Sequence, residues 1–305
     1  MKQTLSTTNI IDGQTLYADL YTPETSKGLT VFFHGMAEHK ERYVELARFL
    51  VARDISVLLC DQRGHGTSLF DQTIKGHFGD QDGWLLNLDD LHALIQQAKT
   101  ITKHSKFVLV SHSMGTIVAR SYIKSYGNDV FAFVMSGIPA DPPLPKVVLT
   151  IAKMLKGKDP RQPSMLLYKN SFLSYDKKTG SKVRYTWLSV EPENVKAYTD
   201  DPLCGFPFTK QAFVDLSFGI VDAKKFMTQK PHTPIPIWCI VGEFDVVASI
   251  QQVDKMAKKL KNLGYPVATS IKEGLAHEVF FDLNKHSLWR ELYQFISTHI
   301  LKTRS

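Results

Sequence analysis

The stretch Phe107–Tyr126, FVLVSHSMGTIVARSYIKSY, decides the fold, because it passes from a strand pattern through a tight turn into a helix pattern. Phe107–Val110 is apolar throughout, as a buried β-strand requires, and Met114–Tyr126 has the periodicity of a helix. Ser113 stands between them, with the small residues Ser111 and Gly115 two positions before and after it. A sharp strand-to-helix turn of this kind lifts a serine hydroxyl out of a sheet, so the motif predicts Ser113 as a nucleophile.

The same alternation of strand and helix patterns extends to both sides of this stretch. Apolar runs predict strands at Leu29–Phe33, Ile55–Cys60, Val130–Met135, Ile237–Val241 and Val267–Ile271. Helical periodicity predicts helices at Tyr43–Arg53, Trp84–Lys99, Ile250–Leu263 and Ser287–Ile300. Fully apolar strands alternating with helices indicate an α/β protein, with a mostly parallel sheet flanked by helices.

Residues 140–234 interrupt this alternation and predict an insertion into one α/β domain. Prolines at 139, 142, 143 and 145 end the regular pattern, and helix-like pieces follow at Val147–Leu155 and Phe208–Ile220. We therefore assign 1–139 and 235–305 to the α/β core and 140–234 to a mainly helical insertion. The insertion holds 15 Lys and Arg against 9 Asp and Glu, so it carries +6 of the net charge of +7.

Composition excludes several classes of protein. The chain of 305 residues is 43% hydrophobic, which is too apolar for disorder, and no apolar run reaches the length of a membrane helix. The basic residues form no stripe interleaved with aromatics, so nucleic-acid binding is not predicted. The basic insertion would allow weak contact with an anionic membrane surface. Three cysteines without metal-site spacing, and an N-terminus without a signal-peptide pattern, predict a cytoplasmic protein.

A serine nucleophile needs a general base, and that base needs an acid to orient it. Asp245 follows the strand Ile237–Val241 and His277 follows the next strand, in the chain order serine, acid, histidine. We predict Asp245 as the acid and His277 as the base. Glu243 and, more weakly, Glu278 remain alternatives for the acid.

Acyl transfer also needs hydrogen-bond donors for the oxyanion. One is the backbone N–H of Met114, directly after the nucleophile. The second is expected from the loop after an early strand, where the Met36 N–H follows His34-Gly35. Aromatic and aliphatic residues of the insertion are candidates either for an acyl tunnel or for a small core of the insertion itself: Leu166, Leu167, Tyr168, Phe172, Leu173, Phe206, Phe208, Phe213 and Phe218.

The motifs HGMAEH at 34–39, Arg42-Tyr43, DQRGHGTS at 61–68 and SHSMG at 111–115 together resemble the monoacylglycerol lipase and lysophospholipase group of α/β-hydrolases. The resemblance covers nearly the whole chain apart from the insertion. It implies the triad Ser113, Asp245 and His277, the donors Met36 and Met114, and a lid at 140–234. Ser111 stands where the group usually has glycine, and the pair Met36-Ala37 stands where it usually has two small residues. We interpret Asp61, Arg63 and His65 as structural.

These observations predict a serine hydrolase that cleaves carboxylic esters through an acyl-enzyme, with no cofactor and no metal. The expected partner is a small-molecule ester, a monoacylglycerol or a lysophospholipid, and the oligomeric state stays open. Epoxide hydrolases and dehalogenases of this fold need aspartate in place of Ser113. A thioesterase, a serine peptidase and a catalytically silent binding protein remain alternatives.

Overall fold

A computed structural model describes residues 1–228, 230–231 and 233–302, without the side chains of 171–173 and 301–302. Eight strands form one sheet: β1 (Lys2–Thr8), β2 (Thr15–Tyr21), β3 (Gly28–Phe33), β4 (Ile55–Cys60), β5 (Phe107–His112), β6 (Val130–Ser136), β7 (Ile237–Gly242) and β8 (Val267–Lys272). Their order is β1-β2-β4-β3-β5-β6-β7-β8. β2 pairs antiparallel with both neighbours, and the strands from β4 to β8 pair in parallel.

Helices cover both faces of this sheet. They are α1 (Val44–Val51), α2 (Gly83–Thr102), α3 (Met114–Tyr126), α4 (Pro145–Lys156), α5 (Met165–Thr179), α6 (Pro192–Asp200), α7 (Lys210–Ala223), α8 (Ile250–Asn262) and α9 (Lys285–Lys302). The apolar faces of α2, α3 and α8 pack on one side, and those of α1 and α9 on the other. Because β3, β4, β5 and β7 are buried along their whole length, they read as continuous apolar runs. The predicted α/β fold is confirmed.

Four helices, α4 to α7, lie between β6 and β7, within the segment that the sequence marks as an insertion. α7 packs against α2, α3 and α4. Gly219 of α7 lies so close to the Trp84 indole that a Cβ there would be 2.3 Å from a ring carbon, and Lys124 of α3 reaches Asp222 at 2.8 Å. Close packing and ion pairs thus hold α7 to the core.

The sequence interpretation missed four elements, β1, β2, α5 and α6. β1 buries Leu5 alone, so its polar sequence gives no apolar run. α5 and α6 lack a continuous apolar stripe, because much of their surface faces solvent. No helix in the described part of the chain combines the length and the hydropathy that crossing a bilayer demands.

Candidate active site

Ser113 occupies the sharp turn between β5 and α3, with φ 49° and ψ −122°. A non-glycine residue with this positive φ is strained, and such strain is common at functional sites. The Ser113 N–H donates to the carbonyl of Ser136 at 3.0 Å, which fixes the turn to the end of β6. The turn leaves the hydroxyl partly exposed, at the N-terminus of a helix of 13 residues.

The residues two positions away from Ser113 show why the turn needs small side chains. A Cβ on Gly115 would lie 2.2 Å from the carbonyl oxygen of Phe33, so no other residue fits there. Ser111, where relatives of this motif have glycine, is buried, and its hydroxyl donates to the carbonyl of Val134 at 3.1 Å. The departure from glycine is therefore accommodated by one hydrogen bond.

His277 and Asp245 form a buried hydrogen-bonded pair. The His277 Nδ1 lies 2.9 Å from the Asp245 Oδ2. The other carboxylate oxygen of Asp245 accepts from the backbone N–H groups of Val247 and Ala248, at 2.8 and 3.1 Å. Burial by itself would raise the pKa of Asp245, but His277 and these amides outweigh it and hold that pKa below the usual range. The carboxylate is thus kept ionised beside the imidazole.

The two alternative acids lie elsewhere. Glu243 is exposed, and its carboxylate accepts from the N–H of Gly274 at 2.8 Å. Glu278 is buried but binds Arg42. Neither of them contacts the His277 ring through a hydrogen bond in the described structure, so the geometry favours Asp245.

The electrostatic surroundings distinguish His277 from His112, the histidine that precedes Ser113. Burial lowers the pKa of His277, but Asp245 and Glu278 raise it further, so it lies above the usual histidine value. The ring of His112 is 4.7 Å from that of His277, and its Nδ1 lies 3.1 Å from the hydroxyl of Ser136. Burial lowers the pKa of His112 to about 3, so this ring stays neutral beside a basic one.

Ser113 and His277 line the same cavity, of about 210 Å³. Within the described residues, the Ser113 hydroxyl makes no hydrogen bond, and so none to His277. In catalytic sites this contact is often long and tightens when the substrate binds. Apolar residues of the insertion form much of the wall: Tyr175, Trp187, Leu188, Phe213, Leu216 and Ile220.

The two residues whose N–H groups are predicted to bind the oxyanion, Met36 and Met114, both line the same cavity. Met114 is the first residue of α3, so its N–H has no acceptor in the helix. In the described structure the Met36 N–H donates to no protein acceptor either. Among the described residues, both amides are therefore left without a protein partner.

Ala37, the next residue, joins the Met36 loop to the core and to the insertion. Its N–H donates to the Nε2 of the buried His65 at 3.2 Å, and its φ is 53°. Its carbonyl accepts from the Tyr198 hydroxyl and from the N–H of Gly205, each at 2.9 Å. Two residues of the insertion thus bind the backbone of the loop that carries Met36.

The structural roles predicted for Asp61, Arg63 and His65 agree with their contacts. Asp61 is fully buried and accepts from the backbone and the side chain of Lys40, at 2.9 and 2.7 Å. Arg63 donates to Asp90 at 2.6 Å. His65 holds Ala37, and burial lowers its pKa to about 3. These contacts fix the DQRGHGTS loop beneath the site.

Arg42 holds together three parts of the site that the sequence interpretation did not connect. It donates to Glu38 at 2.8 Å, to Glu278 at 2.5 and 2.7 Å, and to Asn194 of the insertion at 3.1 Å. Glu38 in turn accepts from the N–H of Gly35. The loop that contains Gly35 and Met36, the residue after His277 and the insertion are therefore all bound by one guanidinium, which is 9% exposed.

Two further residues that the sequence interpretation missed contact the imidazole. Gly137 has φ 56°, and a Cβ there would lie 2.7 Å from the Cε1 atoms of both His112 and His277. The Trp187 ring is 5.3 Å from the His277 ring. The position of Gly137, directly after a buried strand, was a usable signal, whereas nothing in the sequence places Trp187.

Of the two roles considered for the aromatics and aliphatics of the insertion, the structure favours a core over an acyl tunnel for most of those it describes. Of the described candidates, Phe213 lines the cavity. Leu166 is 60% exposed, and Phe206 and Phe208 pack around His65. Tyr168 is buried and bonds to Tyr185 at 2.7 Å. The side chains of Phe172 and Leu173 lie outside the described residues.

Comparison with known proteins places this geometry among hydrolases. A family model described as "Hydrolase_4: Serine aminopeptidase, S33" matches residues 24–284. The chain is 24% identical over 295 residues to "Probable lysophospholipase L2" of Haemophilus influenzae, covering 95% of this chain and 88% of that protein. It is also 24% identical over 304 residues to the monoacylglycerol lipase of Mycolicibacterium smegmatis, covering 95% of each. A thermostable carboxyl esterase from Bacillus coagulans superposes with a TM-score of 0.89 at 22% identity, over 98% of this chain and 99% of that one.

Proposed function

The chain belongs to the Hydrolase_4 family, and from that premise we propose that it cleaves carboxylic esters through an acyl-enzyme intermediate. One observation carries the proposal. The imidazole of His277, hydrogen-bonded to the buried carboxylate of Asp245, shares a cavity with the strained Ser113. This arrangement suits a serine nucleophile with its base and acid.

The reaction follows from these positions. His277 Nε2 takes the proton of the Ser113 hydroxyl as its oxygen bonds to the ester carbonyl carbon. The N–H groups of Met36 and Met114 stabilise the oxyanion. The alcohol leaves with the proton from His277 as the ester bond breaks. Water then attacks the acyl-enzyme, His277 takes its proton, and the acid and free Ser113 result.

Asp245 holds the imidazole in the reactive tautomer and stabilises its protonated form. Because Asp245 accepts the Nδ1 proton, the Nε2 atom is left free to accept from Ser113. Its two backbone donors fix the carboxylate, so the pair is rigid before substrate binds. Ser113 labelling by a fluorophosphonate tests the proposal, with Ser113→Ala as the control.

Labelling separates a hydrolase from a silent binding protein, and a substrate panel separates an esterase from a peptidase or a thioesterase. An adduct that forms on Ser113 in the folded protein, and is lost in Ser113→Ala, supports a hydrolase. A folded protein without an adduct would instead be a silent binding protein. The family description names aminopeptidases, so aminoacyl anilides and acyl thioesters belong in the substrate panel. Faster cleavage of either than of esters would overturn the ester assignment.

We propose a single-chain lipid ester, a monoacylglycerol or a lysophospholipid, as the substrate, and residues 140–234 as a lid over it. The names of two relatives and the apolar wall provided by Trp187, Phe213 and Ile220 support this. The cavity of about 210 Å³ is small for a drug-sized ligand, for which about 300 Å³ or more is usual. A long acyl chain therefore requires the insertion to move.

A chain-length series tests the substrate class. We expect kcat/KM for p-nitrophenyl esters and for monoacylglycerols to rise from short to long acyl chains, because the apolar wall of the cavity binds a longer chain more strongly. Lysophosphatidylcholine separates the two lipid classes. Activity confined to short acyl chains would reject the lipid substrate while leaving ester hydrolysis in place.

The outer surface of α4 supports contact between this insertion and a lipid surface. Its apolar residues recur at helical spacing, but they face solvent, and Ala152 is the one buried residue of the helix. The exposed apolar side chains of this stripe are Leu144, Val147, Val148, Ile151, Met154 and Leu155. Lys146, Lys153, Lys156 and Lys158 accompany them, with no acidic residue from 142 to 158. An apolar stripe flanked by lysines suits an anionic bilayer surface.

Vesicle sedimentation tests this contact. We expect the protein to bind vesicles containing phosphatidylserine more strongly than phosphatidylcholine vesicles, and Ile151→Ser with Met154→Ser to weaken that binding. Ile10→Ser with Ile11→Ser is the matched control, because those two apolar residues are also exposed but lie far along the chain, next to β1. Equal binding by both double variants would contradict the contact. A dimer that buries the exposed face of α4 would also contradict contact between α4 and a lipid surface.

A further inference from the structure

Three side chains with metal-ligand chemistry meet outside the catalytic cavity. The ligand atoms of His39, Asp201 and Cys204 all lie within 4.8 Å of one another. The His39 Nε2 is 2.8 Å from the Asp201 Oδ2. His39 is buried, whereas the Asp201 side chain is 28% exposed, so the cluster is reached from solvent at one side.

The cluster bridges the core and the insertion. His39 follows Glu38 in the loop after β3, while Asp201 and Cys204 follow α6. The Cys204 N–H donates to the Asp201 carbonyl at 3.0 Å, so a tight turn presents both side chains together. A ligand bound to all three residues would therefore join the insertion to the core.

One carboxylate of the cluster is available to a cation. Asp201, Glu38 and Glu278 all act on the Cys204 sulfur, but the Arg42 guanidinium pairs with Glu38 and Glu278, and Lys75 donates to the Pro202 carbonyl in the turn between Asp201 and Cys204. A groove of about 600 Å³ opens beside Asp201. Its wall includes Glu45, Glu191, Glu193 and Asp282 together with Arg42, Lys285 and His286. Its acidic side chains give a divalent cation an approach to the cluster.

We propose that His39, Asp201 and Cys204 bind a thiophilic divalent cation of the zinc type, with water in the fourth position. Imidazole nitrogen, carboxylate oxygen and thiolate sulfur are the ligands that Zn²⁺ takes in proteins. Bonds of about 2.0–2.3 Å in a tetrahedron separate the ligand atoms by about 3.3–3.8 Å. Adjustments of about 1 Å in the side chains produce that spacing from the one observed.

Binding is an exchange of protons for the metal, without oxidation or reduction. The metal displaces the proton of the Cys204 thiol to solvent. The proton that joins His39 Nε2 to Asp201 moves to the other ring nitrogen or to solvent, and two coordinate bonds replace that hydrogen bond. Affinity should consequently rise with pH, and each metal bound should release protons.

Cobalt titration of the reduced protein tests the proposal without reference to catalysis. We expect one equivalent of Co²⁺ to produce a thiolate-to-cobalt charge-transfer band in the near ultraviolet, and Zn²⁺ to displace it. Cys204→Ser should abolish the band and weaken zinc binding by more than the roughly 10–100-fold that the loss of an outer-shell partner costs, because a direct ligand is lost. Cys60→Ser is the matched control and should retain both, because Cys60 is buried in β4.

Wild-type protein supplies a second measurement in case Cys204→Ser does not fold. Zn²⁺ should protect Cys204, the most exposed of the three cysteines, from a thiol reagent, as read by mass spectrometry. A missing charge-transfer band at saturating Co²⁺, a band that persists in Cys204→Ser, or labelling of Cys204 that zinc does not slow would overturn the site. None of these results bears on ester hydrolysis by the metal-free protein.

Discussion

Arg42 donates to both carboxylate oxygens of Glu278, and Glu278 is the residue that follows His277 in the chain. Glu278 lines the cavity with His277 and contributes to the raised pKa of that imidazole. The same guanidinium binds Glu38, which accepts from the Gly35 N–H of the oxyanion loop. The Arg42 guanidinium thereby fixes the position of Glu278, directly after His277, and of the loop that contains Gly35.

Glu278→Gln should move the acidic limb of the pH profile. The wild-type limb lies above the usual histidine pKa, because the carboxylates of Asp245 and Glu278 favour the protonated imidazole. Removing the Glu278 charge lowers the pKa of His277, so activity should persist to lower pH. The measurement is kcat/KM against pH for a soluble ester. Glu243→Gln, an exposed carboxylate on the same side of the sheet, should shift the limb less.

Asp245→Asn should reduce kcat by about 10⁴-fold without loss of fold. The amide would present a donor to His277 Nδ1 and favour the wrong tautomer. Glu243→Gln should retain near-wild-type kcat, because Glu243 binds the Gly274 amide instead. If Glu243→Gln were the more damaging variant in steady-state kinetics, Glu243 and not Asp245 would be the acid.

Gly137→Ala should lower kcat about 100-fold, the cost expected of a displacement of about 1 Å in a catalytic group. The new Cβ would lie 2.7 Å from the His277 Cε1 atom, so the imidazole must shift. Gly180→Ala is the matched control. It has a similar positive φ of 68° but meets nothing within 4 Å, so it carries the backbone strain alone. Thermal unfolding measures the strain that the two variants share, and a kcat loss of equal size in both would refute this explanation.

Asp215→Asn should stabilise the protein at neutral pH. Asp215 of α7 is buried beside Gly83, and its Oδ2 has no hydrogen-bond partner in the described structure. Burial raises its pKa to about 7, so the folded state holds a proton that the unfolded state releases near pH 4. The free energy of unfolding of the wild-type protein should therefore fall by roughly 3–4 kcal/mol between about pH 4 and 7, and it should stay low above pH 7.

The amide variant removes that pH dependence, which urea unfolding between pH 4 and 8 measures. Asp222→Asn should change the stability in the opposite direction. Burial alone would raise the pKa of Asp222, but Lys124 and Lys225 outweigh it and lower that pKa, so losing this charge should cost stability at neutral pH. If the free energy of unfolding changed with pH in the wild-type protein in the same way as in Asp215→Asn, the raised pKa assigned to Asp215 would be wrong.

The central part of the fold could be predicted from the sequence because its strands and helices have the apolar patterns that are typical of buried strands and amphipathic helices. β4 and α3 begin and end where the apolar runs and the helical periodicity predict, and Gly115 is explained by backbone crowding alone. β1 was not readable, because an edge strand with one buried residue has no apolar pattern. Its place depends on pairing with β2, which is a property of the tertiary structure.

Residues of the candidate site could be predicted from the sequence where their place in the chain indicates one chemical role. Ser113, Asp245 and His277 follow from chain order and position after strands. Arg42 and Trp187 did not, because arginine and tryptophan serve many roles and only their neighbours in space define them. The aromatics of the insertion misled for the same reason, since hydrophobicity does not tell a cavity wall from a small core.

Tyr198 and Gly205 of the insertion both donate to the carbonyl of Ala37, the residue after Met36. A displacement of α6 and of the turn after it would break these two hydrogen bonds and free the backbone beside Met36. In the proposed mechanism the Met36 N–H receives the oxyanion, so the insertion would have to return to its place before the ester reacts. Opening the cavity and stabilising the oxyanion would then be separate steps of each turnover.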